Sequence, residues 1–333
     1  NWYHRGMNNI APDLTLNTPK VQFLSIDEDV AGQRIDNFLL TKLKGAPKSL
    51  IYRIVRKGEV RVNKGRIKPD YKLKVGDIVR VPPVRLAPKS EQKKPGQSLI
   101  ELLQKAVVYE DDNILVINKP SGLAVHGGSG IQLGLIESLR QVREGDKFLE
   151  LVHRLDRDTS GCIMVAKSRR SLRYMQQQLR ERRVNKVYQA LVVGNWSKRC
   201  NKVDVALLKN QLPSGQRVVR AVDESTQGAK TSLTRFSILR SYSDCTLLEA
   251  KPVTGRTHQI RVHSQYAGHA ILGDDKYGDR EQGALMKKIG LKRLFLHAHR
   301  LDFIDANDKK VSIESSLSLD LQRTLDKLAI YDK

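Results

Sequence analysis

The sequence predicts an α+β protein, in which a small two-helix, short-sheet domain precedes a larger domain with a mainly antiparallel mixed sheet. The chain has 333 residues, which is enough for about two domains. Near its start, apolar residues first recur at helical spacing and then alternate as in strands. After a polar stretch rich in proline, strand-like runs outnumber helical ones, without the regular strand–helix alternation of a dinucleotide-binding sheet.

The small domain is expected over residues 25–85, after a flexible tail over residues 1–24. Apolar residues at helical spacing predict two helices, and alternating apolar residues then predict two short strands. The residues concerned are Ile35, Phe38, Leu39 and Leu43 in the first helix, Leu50, Ile51, Ile54 and Val55 in the second, and residues 60–62 and 78–81 in the strands.

A flexible linker is expected over residues 86–105, because proline, glycine and basic residues interrupt any apolar pattern there. The larger domain then covers residues 106–333. Its strands are predicted at residues 114–118, 148–153, 161–167, 186–193, 203–208, 216–222, 232–239, 245–251 and 294–303. Its helices are predicted at residues 133–143, 168–183, 256–267 and 317–330.

The chain is strongly basic, with 59 Lys and Arg against 36 Asp and Glu and a net formal charge of +23. This charge indicates a polyanionic partner, either nucleic acid or an anionic membrane surface, although a basic but otherwise ordinary enzyme could also carry it. Residues 25–85 alone hold 15 basic and 7 acidic residues. This concentration favours a phosphate-binding face over a merely solvated surface. The candidate residues on that face are Arg53, Arg56, Lys57 and Arg61.

Several classes of protein are disfavoured by the sequence. No apolar run approaches the ~18–20 residues that a membrane-spanning helix needs. The residues around Met7, a candidate native start, lack the plan of a signal peptide. The three cysteines form no C-x-x-C pair, which suggests a reducing compartment. His258 and His263 are five residues apart, not the four that suit a zinc site on one helix face. We therefore expect a cytoplasmic protein with no metal.

The start of the chain resembles a known RNA-binding module. Gln33-Arg-Ile-Asp36 and the segment from Lys48 to Asn63 are similar to the S4-type RNA-binding domain, and the resemblance covers most of residues 30–82. Domains of this type grip structured RNA by its shape and its phosphates, through two helices and the turn that follows. The resemblance implies that the basic face of the small domain binds RNA.

A charged cluster between two apolar runs, residues 151–161, is by itself typical of a surface turn. Within it, however, His153-Arg154-Leu155-Asp156 followed by Thr159-Ser160-Gly161 resembles the signature of the RluA/RluC-type pseudouridine synthases. The resemblance runs from about Val108 to Phe303 and is close to the RluC subgroup of ribosomal RNA enzymes. Its other blocks are residues 118–122, Val125-His126, Lys186-Val-Tyr188, residues 252–263, Gly268-His269, Gly273-Asp274, Tyr277-Gly278 and residues 294–298.

This resemblance implies a reaction that turns uridine into pseudouridine, by breaking a carbon–nitrogen glycosidic bond and remaking it to carbon 5 of the same base. A carboxylate can act there as nucleophile, or as stabiliser and base. Asp156 falls on the catalytic position of the motif, and Asp158 is its rival in the sequence. The resemblance assigns Arg261 as the ion-pair partner that keeps this carboxylate ionised; a phosphate contact or a surface charge is the alternative.

Two further residues receive roles from the resemblance. Tyr188 lies on an apolar strand pattern that by itself favours a core tyrosine, whereas the family places its ring against the target uracil. Arg154 would fill the gap left when the target base is flipped out of the RNA stack, because a planar guanidinium can stack and hydrogen-bond. A phosphate contact is the alternative for Arg154.

The reaction changes no oxidation state and loses no atom, so we expect no cofactor. The resemblance implies bacterial large-subunit (23S) ribosomal RNA as the partner. A transfer-RNA pseudouridine synthase and a non-catalytic RNA-binding factor in ribosome assembly remain as alternatives. We expect a monomer, because the sequence has neither a coiled-coil pattern nor a large surplus of amphipathic surface.

Overall fold

The computed structural model describes residues 20–28, 30–43, 45–84, 95–127, 133–211, 217–278 and 282–331. The chain divides into two units, Asn1–Gln92 and Lys93–Lys333, and separate clusters of buried apolar side chains lie in each. The α+β class predicted from the sequence is confirmed. Most of the predicted tail lies outside the described residues.

The first unit packs two helices on a small antiparallel sheet. Its elements are β1 (Gln22–Ser25), α1 (Ile35–Lys42), α2 (Lys48–Arg56), β2 (Arg61–Val62) and β3 (Ile78–Val81). The strand order is β1-β3-β2. Ile51, Ile54 and Val55 on one face of α2 are buried, whereas Arg53 and Arg56 on the opposite face are exposed. The helix therefore presents its basic side chains to solvent.

Strand β1 begins inside the segment predicted as a tail. It pairs with β3 along its whole length, from Gln22 opposite Val81 to Ser25 opposite Ile78. Its side chains are mostly exposed and give no alternating burial pattern, so the sequence carries no strand signal there. Backbone pairing, not side-chain burial, makes this segment a strand.

The second unit is built on a ten-stranded mixed sheet and a separate hairpin. The order along the sheet is β4-β5-β7-β14-β8-β13-β12-β9, with β6 paired to β7 and β15 paired to β14, and β10 and β11 form the hairpin. The strands are β4 (Val107–Glu110), β5 (Ile114–Lys119), β6 (Glu150–Leu151), β7 (Ser160–Ala166), β8 (Asn185–Val193), β9 (Lys202–Asp204), β10 (Ala206–Gln211), β11 (Arg217–Val222), β12 (Leu233–Ser241), β13 (Cys245–Pro252), β14 (Leu296–Ile304) and β15 (Lys310–Glu314).

The helices of this unit include one in the range predicted as a linker. They are α3 (Gln97–Lys105), α4 (Leu135–Val142), α5 (Arg169–Arg180), α6 (Gln259–Tyr266), α7 (Gln282–Ile289) and α8 (Leu319–Tyr331). On α3, Leu99 and Leu103 are four residues apart and pack on the main apolar core, which holds this segment as a helix. Residues 86–94 of the predicted linker lie outside the described residues.

The single strand predicted over residues 203–208 is wrong. The chain forms two strands there, because it changes partners at Val205. Strand β9 before this point pairs with β12 in the large sheet, whereas β10 after it pairs with β11 in the hairpin. Strands β4 and β15 and helix α7 were not predicted.

Three adjacent central strands, β7, β14 and β8, carry the features that position the site. Gly161 on β7 lies opposite Ala298 on β14, and Ala298 lies opposite Tyr188 on β8. The pair β7–β14 is parallel and very close, since a Cβ atom at Gly161 would lie 2.3 Å from the carbonyl oxygen of Ala298. Gly161 also has a φ of +108°, which other residues rarely adopt. A glycine is therefore required where β7 leaves the loop that carries Asp156.

Candidate active site

Asp156 lies in the loop that joins β6 to β7. Residues 119–121, at the end of β5, donate hydrogen bonds to this loop. The Lys119 side chain is completely buried, and its ammonium group donates hydrogen bonds to the carbonyl oxygens of Pro120, Leu123 and Arg157, each at 2.9 Å. The Ser121 hydroxyl donates to the carbonyl of Asp158 at 2.7 Å. These contacts give a structural reason for the sequence block at residues 118–122.

Burial lowers the pKa of Lys119 to about 7, against the opposing negative charges of Asp158 and Asp156. The three carbonyl acceptors compensate for the loss of water around this ammonium group. Lys119 thus holds the loop backbone while Asp156 remains partly accessible, with 19% of its side chain exposed.

Arg261, the third residue of α6, reaches Asp156 from the other side. Its side chain is only 3% exposed, and its Nη1 atom lies 3.6 Å from Oδ2 of Asp156. The shorter contacts of Arg261 go to a different carboxylate. Its Nε and Nη2 atoms donate to Oδ2 and Oδ1 of Asp274, both at 2.7 Å. The sequence pointed to Arg261 beside Asp156 but missed the two-point grip of Asp274.

Electrostatics in this group favour the charged forms. Burial opposes the charge on Arg261, but the hydrogen bonds and charge of Asp274 and the charge of Asp156 raise the pKa of Arg261 above its ordinary value. Burial likewise opposes the charge on Asp274, but its hydrogen bonds and Coulomb attraction with Arg261 hold the pKa of Asp274 below its ordinary value. Asp274 thus keeps the positively charged Arg261 guanidinium in a fixed position beside Asp156.

Tyr188 reaches the same place from β8. Its side chain is 9% exposed and lies in the wall of the cleft that contains Asp156. Burial raises the pKa of Tyr188 well above its ordinary value, and the negative charge of Asp156 adds to this effect. The phenol is therefore neutral at physiological pH.

The cleft around these three residues has a volume of about 510 Å³. Its wall is rich in basic residues, which come from loops, from the end of α5 and from the start of β8: Arg154, Arg180, Arg182, Lys186 and Arg256. Arg154 is exposed, two residues before Asp156. A cleft in which basic side chains surround one carboxylate suits a phosphate-bearing ligand.

His258, immediately before α6, also lines the cleft. Its Nε2 atom is 3.8 Å from Oδ2 of Asp156, and its Nδ1 atom is 2.7 Å from the hydroxyl of Tyr277. In the sequence, His258 is part of the block at residues 252–263, and only a metal-binding role suggested itself for it; nothing in the spacing indicates a place beside Asp156. Asp274 and Tyr277 could have been noticed, since both lie in blocks that resemble the family and a buried arginine needs a carboxylate.

The four predicted RNA-face residues Arg53, Arg56, Lys57 and Arg61 belong to the first unit. All four are exposed. The first three lie on or just after α2, at positions that share its solvent face, and the guanidinium of Arg56 lies 6.0 Å from the ring of Tyr52. Arg61 Nε donates to the carbonyl of Gly58 at 3.1 Å.

Among the described residues, no group of three or more His, Cys, Asp or Glu side chains is arranged to hold a metal ion. None of their helices is both long enough and apolar enough to cross a membrane.

A mixed sheet whose central loops converge on an acidic residue in a basic cleft, preceded by a small basic unit, is the architecture of an enzyme that acts on RNA. The chain belongs to the RNA pseudouridylate synthase family: residues 113–266 match that family and residues 33–79 match the S4 domain. Both resemblances inferred from the sequence motifs are confirmed.

Similar proteins extend this finding over most of the chain. Ribosomal large subunit pseudouridine synthase C of Escherichia coli (strain K12) is 55% identical over 315 residues, which cover 93% of this chain and 98% of that protein. The protein of the same name from Pasteurella multocida (strain Pm70) is 60% identical over 284 residues, which cover 85% of this chain and 86% of that protein. The solved structure of Human RNA Pseudouridylate Synthase Domain Containing 4 is 28% identical, with a TM-score of 0.59, and covers 70% of this chain and 96% of that chain.

Proposed function

We propose that this protein isomerises specific uridines to pseudouridine in the 23S RNA of the bacterial large ribosomal subunit. The relatives with more than half of their residues in common are named for the large ribosomal subunit. The S4 domain supports a structured RNA as substrate. The observation that carries the proposal is the convergence of Asp156, Tyr188 and Arg261, from three separate motifs, on one basic cleft.

In the proposed reaction, the Asp156 carboxylate acts as the nucleophile and forms a bond to ribose carbon 1′. The bond between carbon 1′ and uracil N1 breaks as this bond forms, and the detached uracil turns within the cleft. A bond then forms between carbon 5 of the base and carbon 1′, and the carboxylate leaves. The proton lost from carbon 5 is balanced by the proton gained at N1, so the product is an isomer of the substrate. No cofactor is required by this balance.

Arg261 and Tyr188 support this step in different ways. Arg261 places a fixed positive charge 3.6 Å from Asp156, which favours the ionised carboxylate. Tyr188 offers a neutral ring to the flipped uracil, and its hydroxyl is available to help a proton move during the rearrangement. The two residues would thus hold the base and the nucleophile in position within one cleft.

RNA binding would be shared between the two units. Arg154, exposed beside Asp156, fills the gap that the flipped uridine leaves in the RNA stack. Arg53, Arg56, Lys57 and Arg61 contact phosphates from the first unit. Because the substrate is ribosomal RNA, we place the protein in the cytoplasm, and we propose that it acts as a monomer.

The test is to incubate the full chain with unmodified 23S RNA and to map pseudouridine by carbodiimide treatment and primer extension. We expect strong stops at particular uridines with the wild type, none with Asp156→Asn, and unchanged stops with Asp158→Asn as the matched control. Stops that persist with Asp156→Asn would refute the assigned nucleophile. If the wild type modifies transfer RNA and leaves 23S RNA unmodified, the proposed substrate is wrong.

A further inference from the structure

His258 sits beside the candidate nucleophile and is held there from several directions. It has a left-handed backbone conformation, with φ of +54°, at the start of α6. The next residue locks the adjoining turn, since the Gln259 side chain accepts hydrogen bonds from Thr254 Oγ1 at 2.7 Å and from the Arg256 N–H at 3.0 Å. The imidazole is 12% exposed, so its orientation is set by protein contacts more than by water.

Tyr277 connects this imidazole to the backbone of β11. The amide N–H of Val219 can only donate, and it donates to the Tyr277 hydroxyl oxygen at 3.0 Å. The Tyr277 oxygen therefore acts as an acceptor there, and its own proton can serve the His258 Nδ1 atom 2.7 Å away. In this arrangement Nδ1 is the acceptor, so the ring proton of neutral His258 lies on Nε2.

The surroundings of the Nε2 atom favour the same tautomer. His258 Nε2 faces Oδ2 of Asp156 at 3.8 Å, and a proton on Nε2 is attracted to that carboxylate, whereas a lone pair would be repelled. Burial lowers the pKa of His258 below its ordinary value, although the charge of Asp156 opposes this, so the ring is neutral at physiological pH. What decides whether His258 can donate to Asp156 is therefore which ring nitrogen carries the single proton.

Two N–H groups thus face the same oxygen of the Asp156 carboxylate. Arg261 Nη1 lies 3.6 Å and His258 Nε2 lies 3.8 Å from Oδ2. Both contacts are longer than a hydrogen bond, as is common in a free enzyme whose catalytic contacts tighten when substrate binds. When these two contacts shorten to hydrogen bonds on Oδ2, Oδ1 is the oxygen left to attack.

We propose that His258, fixed as its Nε2–H tautomer by Tyr277, is a positioning residue that orients the Asp156 carboxylate so that Oδ1 attacks the ribose. This inference rests on the proposed function, because it assigns Asp156 as nucleophile. It adds a chain of contacts, from Val219 through Tyr277 and His258 to Asp156, that joins the hairpin strand β11 to the reacting carboxylate.

The first experiment compares His258→Gln with His258→Asn. A glutamine amide can place an N–H donor where Nε2 lies, whereas an asparagine amide reaches only the Nδ1 position near Tyr277. Asparagine adopts the left-handed backbone more readily than glutamine. A purely structural role therefore favours Asn, and a donor to Asp156 favours Gln.

We expect His258→Gln to keep a single-turnover rate within about 10-fold of the wild type, and His258→Asn to lose about 100-fold, with unchanged RNA affinity in both. Melting temperatures and RNA-binding constants establish that the variants are folded. Equal rates in the two variants, or a faster His258→Asn, would overturn the proposal.

The second experiment needs no RNA and no activity. Nitrogen NMR of the wild type labelled at histidine reports which ring nitrogen carries the proton, and the His258 signal is identified by its loss in His258→Gln. We expect His258 to be protonated at Nε2 in the wild type. In Tyr277→Phe we expect a larger fraction of the molecules to be protonated at Nδ1 than in the wild type. A protonated Nδ1 in the wild type would overturn the proposal. Failure of the proposed function appears separately, as a wild type that forms no pseudouridine.

Discussion

At the residue scale, the site depends on a buried guanidinium that serves two carboxylates in different ways. Arg261 grips Asp274 at two points, 2.7 Å each, and faces Asp156 at 3.6 Å. The side chain of Asp274 is fully buried, whereas that of Asp275, 3.4 Å from the same guanidinium, is 68% exposed. A buried partner holds the cation in position, and an exposed partner adds little.

The first prediction concerns Asp274→Asn, with Asp275→Asn as the matched control. Because Asp274→Asn leaves Arg261 buried without its carboxylate, we expect it to lower the free energy of unfolding by about 3 kcal/mol or more and to reduce pseudouridine formation sharply. Asp275→Asn should stay within about 0.5 kcal/mol of the wild type and remain active. Urea unfolding and single-turnover assays measure both. Equal effects of the two substitutions would contradict the distinction between them.

At the element scale, the site rests on the close parallel contact between β7 and β14. Gly161 and Ala298 are opposite each other there, and Tyr188 on β8 follows in the same row. The loop with Asp156 ends at the first residue of β7. A displacement of β7 from β14 would therefore move the candidate nucleophile relative to the tyrosine.

The second prediction is that Gly161→Ala lowers both stability and activity. A Cβ atom at Gly161 would lie 2.3 Å from a backbone oxygen of Ala298, so the strands must separate. Gly268→Ala is the control, because Gly268 also has a positive φ, +87°, but has open space at the Cβ position. We expect about 1 kcal/mol of destabilisation from Gly268→Ala and at least about twice that from Gly161→Ala. Thermal unfolding tests this, and equal losses would show that backbone conformation alone accounts for the effect.

At the scale of the whole molecule, charge is distributed over both units. The chain has a net formal charge of +23, and cations lie on α2 of the first unit and around the cleft of the second. RNA binding driven by such charges depends strongly on salt, because each phosphate contact releases counterions.

The third prediction is that reversing the charges on α2 weakens RNA binding and flattens its salt dependence. Arg53→Glu, Arg56→Glu and Lys57→Glu together should reduce the slope of log affinity against log salt by about 2. Lys198→Glu with Arg199→Glu is the control, because these exposed residues of the second unit do not line the cleft. Filter binding over a salt series measures the slopes. An unchanged slope in the α2 variant would remove the phosphate-binding role of this face.

The fourth prediction is that the folded protein becomes less stable as the pH is lowered from 6.5 towards 4. Burial lowers the pKa values of His153, His263 and His297 to about 4, in each case from an ordinary value of 6.5. Above pH 6.5 these groups are neutral whether the chain is folded or unfolded. Between pH 6.5 and 4 the unfolded chain takes up protons that the folded chain refuses, so stability falls as the pH is lowered through this window.

Each of these histidines can lower the free energy of unfolding by up to about 3 kcal/mol by pH 4. His297→Gln should make the loss smaller, because the amide cannot take up the proton and can still donate to Ser315, as Nε2 of His297 is placed to do at 3.0 Å. His126→Gln is the control, since that side chain is 57% exposed. Urea unfolding at several pH values between 7.5 and 4.5 gives the comparison, and identical pH dependence in the His297 variant and the wild type would contradict the assignment.

Much of the fold could be predicted because its signals are local. Helical spacing marked α1 and α2, and continuous apolar runs marked the central strands, since these patterns depend on neighbours in the chain. Strand β1 and helix α3 were missed, because a mostly exposed strand has no alternating pattern and a helix begun beside Pro95 and Gly96 resembles a linker. Asp156, Tyr188 and Arg261 could be singled out because each lies in a short motif; their roles stay predictions.

The sequence by itself determined the α+β class, the basic face of α2 and the family, because composition, periodicity and motif order are properties of consecutive residues. Only the tertiary structure decided that Asp274 grips Arg261 and that Tyr277 aims His258 at Asp156. These pairings join segments that are distant along the chain, and no sequence spacing relates Val219 to Tyr277. Differences of a few tenths of an ångström decide whether a hydrogen bond forms, and these distances are set only when the strands and loops have packed.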